Sequence, residues 1–168
     1  MSKYILAHDM GTSGDKAVLF TLDGKVVKSV HGDYPTYFGE NGAVEQNPLD
    51  WWKCVCDRTQ EILQGIDKKA IAAITFGGQM MGCTCIDKNG NPLRNSIIWA
   101  DGRSKKQMER LAAAYGEKEL YYTSGHRESP YYSLTKFMWV KENQPEIYQN
   151  TYKTLNCKDF IVMKLTGK

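Results

Sequence analysis

Long apolar runs are missing from this chain of 168 residues. None approaches the roughly 20 consecutive apolar residues that a membrane-spanning helix needs. The opening stretch, MSKYILAHDMG, lacks the extended apolar core of a secretory leader. The expectation is a cytoplasmic protein that engages no membrane. A dense basic stripe is missing too. The net charge is only +3, and the longest basic runs are the pairs Lys68-Lys69 and Lys105-Lys106. A nucleic-acid footprint needs more than that, so nucleic acid is not an expected partner. Metal-type cysteine spacing is also lacking. The five cysteines are an odd number without a CxxC pair, and reduced thiols are the default in a cytosolic chain. Cys54 and Cys56 fall in a helical pattern, where positions i and i+2 point about 200° apart. Cys83 and Cys85 fall in a strand pattern and share a face, but two ligands make no metal site. The cysteines therefore read as small core residues.

What is present suits one compact α/β domain, folded throughout and with a sizeable core. Tyr4–His8, Lys16–Leu22 and Lys25–Val30 read as three strands of an antiparallel meander, with Asp23-Gly24 as a tight turn between the last two. Asn47 is a good N-cap, Pro48 suits the first helical position, and Leu49, Trp52, Cys56, Thr59 and Leu63 recur at helical spacing. Gly65 can end that helix. Ala70–Phe76 is nearly all apolar, the pattern of a strand buried on both faces. Cys83–Asp87 and Ser96–Trp99 read as further strands, joined through the turn Lys88-Asn89-Gly90-Asn91. Helical patterns follow from Asp101, with Met108, Leu111, Ala112 and Tyr115 on one face. Others cover Ser133–Asn143, ended by Pro145, and about Lys158–Leu165, with Gly167 as a C-terminal cap.

The stretch His8-Asp9-Met10-Gly11-Thr12-Ser13-Gly14-Asp15-Lys16 carries the first chemistry. A two-residue hairpin turn would be shorter. Glycine-rich turns present backbone N–H groups to phosphate oxygens, the hydroxyls of Thr12 and Ser13 can add bonds, and Lys16 adds a charge. Asp9 can hold a magnesium ion, usually through water. The pattern is not a P-loop, since GxxxxGK[ST] is absent and a strand follows. By themselves these residues suit equally a plain glycine-rich hairpin with an exposed acid and amine.

The ordered set of motifs is more specific. D-x-G-T-S-G-x-K, from Asp9 to Lys16, closely resembles the first phosphate-binding segment of the FGGY carbohydrate kinases, members of the actin, sugar kinase and Hsp70 superfamily. Glu45-Gln46-Asn47-Pro48 followed by Trp51 or Trp52 resembles the family's helix entry. Gly78-Gln79-Met80-Met81-Gly82 resembles the G-Q-M-H-G of xylulose kinases. Arg94 to Ser104, including Trp99, Asp101 and Arg103, resembles the L-R-x-x-I-x-W-x-D-x-R-[ST] segment. Ser129-Pro130, Lys136, Trp139, Pro145-Glu146, Asp159 and Leu165-Thr166-Gly167 follow in the family's order. The resemblance covers essentially the whole chain.

It implies an actin-like ATPase (ribonuclease H-like) domain: a mixed sheet with an opening antiparallel meander, flanked by helices. It implies ATP-dependent phosphorylation of a sugar or polyol hydroxyl, with ATP and Mg²⁺ as cofactors. By that resemblance Asp9 organises the metal, and Gly11, Thr12, Ser13 and Lys16 face the phosphates. Gln79, Met80 and Met81 fall at the sugar-contact position. Asp101 and Arg103 lie near that pocket, more as its frame than as chemistry. Tyr131 matches a polyol-contacting tyrosine of glycerol kinases. Blander readings stand beside these: Asp101 and Arg103 as a surface pair at a helix start, Tyr131 packed on the following helix, and Met80 facing the core if its strand continues. His8 and His126 lack an i+4 metal-ligand partner.

No catalytic base is expected within these residues. The family's aspartate lies well downstream of the L-T-G segment, and so beyond Lys168. The resemblance thus implies that residues 1–168 are an incomplete N-terminal, sugar-binding domain of a kinase roughly three times longer, without its C-terminal nucleotide domain, and inactive alone. The substrate expectation is a ketopentose such as D-xylulose. Met81 stands where xylulose kinases have a histidine, and methionine offers only bulk and a weak acceptor. Gluconate, glycerol or another polyol, or a non-catalytic sugar-binding role, are the alternatives. Homodimerisation is left open.

Overall fold

The computed structural model describes residues 3–168. In chain order the strands are β1 Tyr4–Met10, β2 Gly14–Thr21, β3 Val26–Asp33, β4 Tyr37–Phe38, β5 Val44–Gln46, β6 Ile71–Gly78, β7 Thr84–Ile86, β8 Ser96–Ile97 and β9 Lys153–Leu155. The helices are α1 Pro48–Ile62, α2 Lys105–Tyr115, α3 Glu117–Ser124, α4 Ser133–Asn143, α5 Pro145–Asn150 and α6 Cys157–Thr166. Two compact units result. Residues 3–35, 47–79 and 157–168 form the first, and residues 36–46 and 80–156 the second.

The first unit is built on a four-stranded sheet of order β3-β2-β1-β6. The meander is antiparallel as expected, and β6 joins β1 in parallel. The Asp23-Gly24 turn closes with the Thr21 N–H donating to the Lys25 carbonyl at 2.9 Å, and Gly24 sits at φ +86, where glycine carries no steric penalty. The strand period of two sends Leu6, Ala17 and Leu19 to one face, where they meet Ile62 of α1 in a closed apolar cluster. Gly14 is there because β2 and β3 nearly touch: a Cβ on it would lie 2.2 Å from the Gly32 carbonyl oxygen.

Two expectations for this unit are corrected. The Asn47 side chain does cap α1, accepting from the Leu49 N–H at 3.0 Å. The buried face, however, is Pro48, Trp51, Cys54, Val55 and Ile62, while Leu49 is exposed. The helix carries apolar residues on two overlapping arcs. Its long-range partners chose between them, including an edge-on contact of Trp51 with Phe160 of α6 at 6.4 Å. Full burial of such a side chain is worth about 1.5–3 kcal/mol. The run Ala70–Phe76 is not buried on both faces. It forms an edge strand with residues 72–75 exposed. An apolar run reports strand propensity but not position within a sheet, and β6 is flanked only by β1.

The second unit holds the small antiparallel sheets β4-β5-β8 and β7-β9, with α2 to α5. Its core gathers Cys83, Cys85, Ile97 and Val140, with Phe137, Trp139 and Tyr148 packed against them. The Cys83 and Cys85 sulfurs share one face, 4.0 Å apart. Helix α4 occupies the expected residues, although Leu134 is exposed, and Tyr115 of α2 also points to solvent. Short elements without a long periodic pattern, β4, β5, β9, α3 and α5, gave no sequence signal. Among the described residues no helix is long and apolar enough to cross a membrane.

Candidate functional site

In the first unit the expected phosphate residues cluster on the β1–β2 turn. Asp9 and Lys16 are cross-strand partners, and both are exposed, as are Thr12 and Ser13 at the tip. The turn is closed internally by the Gly11 N–H donating to the Gly14 carbonyl at 2.9 Å. Tyr34 braces it: its N–H donates to the Ser13 carbonyl at 3.2 Å, and its phenol donates to the Gly11 carbonyl. Burial pushes the Tyr34 phenol far above its ordinary range, reinforced by nearby thiols and by Asp15 and Asp9, so it remains a neutral donor. Gly11 therefore serves the frame of the turn with both backbone groups, while Thr12 and Ser13 form its outward face.

Beneath the turn lies a chain the sequence did not announce. His8 Nδ1 meets Asp15 Oδ2 at 2.7 Å, and His8 Nε2 meets the Thr59 hydroxyl at 3.1 Å. The order Asp–His–Thr imitates a nucleophilic triad, but His8 and Asp15 are buried, and the ring is stacked on Phe76 at 5.3 Å. It is a strut joining β1, β2 and α1. The pair could have been suspected from two ionisable residues at inward positions of adjacent strands.

An exposed carboxylate at the end of β1, next to hydroxyls and a lysine, suits a hard cation. Magnesium takes one or two carboxylates and fills its remaining positions with phosphate oxygens and water. Gln79 continues β6, its N–H donating to the Met10 carbonyl at 2.8 Å, and its side chain bonds the Cys157 thiol. In the same unit Lys168 follows the Gly167 cap of α6. It is exposed, and its N–H donates to the Thr166 hydroxyl at 3.3 Å.

The second unit collects Met80, Met81, Asp101, Arg103 and Tyr131. Met80 is not core-facing, because β6 has already ended and the side chain is 60% exposed. Met81 adopts φ +61, the left-handed region that non-glycine residues rarely enter. Asp101 and Arg103 are not a surface pair. Asp101 is 0% exposed and accepts from the Val44 N–H at 2.6 Å and the Arg103 N–H at 3.0 Å. The Arg103 guanidinium grips both Asp101 oxygens, with Nε at 3.0 and 2.9 Å. Glu45 joins Arg103, at 2.7 Å, to Arg94. Trp139 lies under both guanidiniums, with Arg103 4.8 Å from the ring centre. Burial opposes the Arg103 charge, but the Asp101 and Glu45 carboxylates outweigh it and raise its pKa above the ordinary value. Local sequence could not show this network, because Glu45 and Arg94 enter it from distant strands and loops.

Tyr131 is half exposed, with its ring against Gly102, where a Cβ would lie 3.8 Å from Cε1. Its loop is held by Ser104, whose hydroxyl donates to the Pro130 carbonyl at 2.8 Å, and by Thr135. Trp99, exposed at 41% between buried Ile98 and buried Asp101, adds a second aromatic face to which its motif assigns no role. The sequence offered only a tryptophan two residues before an aspartate.

A family model described as the FGGY family of carbohydrate kinases, N-terminal domain, matches residues 4–168. The xylulose kinase of Bacillus subtilis is 34% identical over 98% of this chain and 33% of its own length. The gluconokinase of the same organism is 32% identical over 98% of this chain and 32% of its own length. The crystal structure of gluconate kinase from Lactobacillus acidophilus superposes with a TM-score of 0.92 at 31% identity, covering 100% of this chain and 34% of that one. The chain thus spans about a third of the length of the curated relatives it matches. Its fold is the actin-like, ribonuclease H-like arrangement expected from the motifs. Residues 4–168 match the N-terminal-domain model, and the chain belongs to the FGGY family of carbohydrate kinases.

Proposed function

We propose that the protein carrying this chain transfers a phosphoryl group from ATP to a hydroxyl of a sugar, with a ketopentose such as D-xylulose as the preferred acceptor. The observation that carries this reading is the β1–β2 turn: Asp9, Thr12, Ser13 and Lys16 are exposed together, while Tyr34 and the His8–Asp15 strut hold the turn from beneath. Phosphoryl transfer asks for position and charge more than for covalent help. Bound Mg²⁺–ATP supplies the transferable phosphoryl group and the counter-charge that lets it leave. Asp9 orients the metal. Thr12 and Ser13 donate to phosphate oxygens, and Lys16 adds positive charge. In the second unit Met80, Met81 and Tyr131 hold the sugar, with Trp99 as an apolar wall. Asp101 and Arg103 keep their polar atoms within the buried network and act as the frame. Gln79, tied to the last residue of β1 and to Cys157, serves its own unit by fixing the end of β6.

The proton acceptor for the sugar hydroxyl is assigned beyond Lys168, to the further length that the relatives possess. Turnover is accordingly a property of a protein with that length, and sugar binding the property of this domain. Gluconate is the second reading, favoured by the gluconokinase likeness at nearly the same identity. The test is an ATP-dependent assay of the full-length kinase on D-xylulose, gluconate and glycerol. A higher kcat/KM for D-xylulose is expected. A preference for gluconate selects the second reading, and no turnover on any sugar rejects both.

A further inference from the structure

Lys136, in the first turn of α4, is wholly buried, at 0% exposure. It is the one lysine in the buried core among the described residues. A buried ammonium is costly unless its donors are satisfied. Its Nζ donates to the Met81 carbonyl at 2.8 Å and to the Tyr131 carbonyl. The two acceptors lie on separate loops far apart in sequence, one following β6 and the other preceding α4. One cation thus ties together the backbone at two of the expected sugar-contact residues.

Met81 gives the arrangement a second, independent mark. Its φ of +61 would cost glycine nothing and favours asparagine or histidine among side-chain-bearing residues. Such a conformation persists where the surroundings over-determine it, and it concentrates at ligand sites. The hydrogen bond from Lys136 falls on the carbonyl of that very residue.

We propose that Lys136 is the positioning residue of the sugar site: by holding the Met81 and Tyr131 carbonyls it fixes where both side chains meet the substrate. This rests on the reading of Met81 and Tyr131 as sugar contacts. The titratable groups that face the ammonium are Asp101 and Cys83. The Cys83 thiol is pushed up by its hydrogen bond with Cys85 and by burial, so Asp101 is the charge that supports Lys136. Burial pushes the Lys136 pKa down to about 8, against the opposing pull of Asp101 and Cys83. The neutral amine keeps two N–H donors, but hydrogen bonds from a charged donor are about twice as strong.

The test uses the full-length kinase and compares Lys136→Met, Met81→Ala and Tyr131→Ala. Methionine fills the space of the lysine stem, but it leaves the Met81 and Tyr131 carbonyls without this donor, so some loss of stability is expected. Lys136→Met is expected to raise the sugar KM by about tenfold, the order of one lost hydrogen-bonding contact. The KM for ATP should stay where it is, while the melting temperature should fall no further than the two lost hydrogen bonds account for, with the fold kept. An unchanged sugar KM in a variant that still melts in one cooperative transition overturns the proposal. If Lys136→Met fails to fold, the wild-type pH profile decides. A sugar KM rising about threefold from about pH 7 to about pH 9.5 over a flat ATP KM supports it, as weakened donors require, and a flat sugar KM overturns it. When Met81→Ala and Tyr131→Ala raise the sugar KM but Lys136→Met does not, only the role of Lys136 has failed. When neither alanine variant moves it, the sugar-site reading itself has failed, and the proposal with it.

Discussion

His8 Nδ1 stands 2.7 Å from Asp15 Oδ2, a contact between two side chains with no solvent exposure at the base of the β1–β2 turn. In strand register His8 pairs with Ala17 and Asp15 with Met10, so the contact crosses the β1–β2 ladder diagonally. The second oxygen, Asp15 Oδ1, is buried without a hydrogen-bond partner. The pair shapes the turn more than it stabilises the unit, since a buried ionisable pair gains little over a matched apolar pair.

That relationship predicts an asymmetry among mutants. Asp15→Val or His8→Leu alone should lower unfolding stability by about 3 kcal/mol, because each leaves its partner buried and unsatisfied. The double variant should recover most of that loss. Chemical denaturation of the four proteins measures the coupling, and additive losses would refute it.

Tyr34 offers a milder lever on the same turn. Tyr34→Phe removes the donor to the Gly11 carbonyl and should lower stability by about 1–2 kcal/mol. In the full-length kinase it should raise the KM for ATP while leaving the KM for sugar alone. A change confined to the sugar KM would contradict the assignment of this turn to phosphate.

Asp9 is exposed and bears no structural duty of that kind. Asp9→Asn should therefore keep stability within about 0.5 kcal/mol. It should lower kcat by about a hundredfold, the order for losing one electrostatic contact to a reacting group. Activity within a factor of a few of wild type would remove Asp9 from the metal site.

Met81→His tests the substrate. Histidine tolerates positive φ better than most side chains, so the backbone at φ +61 should accept it. It would restore a donor and acceptor to the sugar. Activity on D-xylulose should rise, and a fall would mean that Met81 does not meet the sugar as placed.

Lys136 predicts a pH signature in stability. Its pKa is about 8 in the folded protein against 10.5 ordinarily, so the unfolded state holds the proton more tightly. Between those values the unfolded chain binds more protons, and stability rises with pH. The contribution is about 3 kcal/mol, fully present only above pH 10.5 and absent below about pH 8. Other groups titrate in this window, so the measurement is the difference from Lys136→Met, whose curve should lack this rise.

Much of the fold was legible because it rests on local rules. The period of two in β1 and β2, the Asp23-Gly24 turn, the Asn47 cap and the Gly167 terminus each need only neighbouring residues. The Gly167 N–H donates to the Met163 carbonyl at 2.8 Å, as a C-terminal glycine should. The family was legible for another reason: motifs in fixed order survive when overall identity has fallen to about a third.

By itself the sequence determined the opening meander, α1, α4 and α6, and the turn that gathers Asp9, Thr12, Ser13 and Lys16, because those features follow from spacing along the chain. Tertiary structure alone decided which arc of α1 is buried, that β6 lies at a sheet edge, and that Asp101 and Arg103 are sealed in a network with Glu45 and Arg94. It alone brought Lys136 to the carbonyls of Met81 and Tyr131 and Asp15 to His8. Burial and hydrogen-bond partnership are properties of the packed chain, and residues far apart in sequence acquire them only when the fold brings them within about 3 Å.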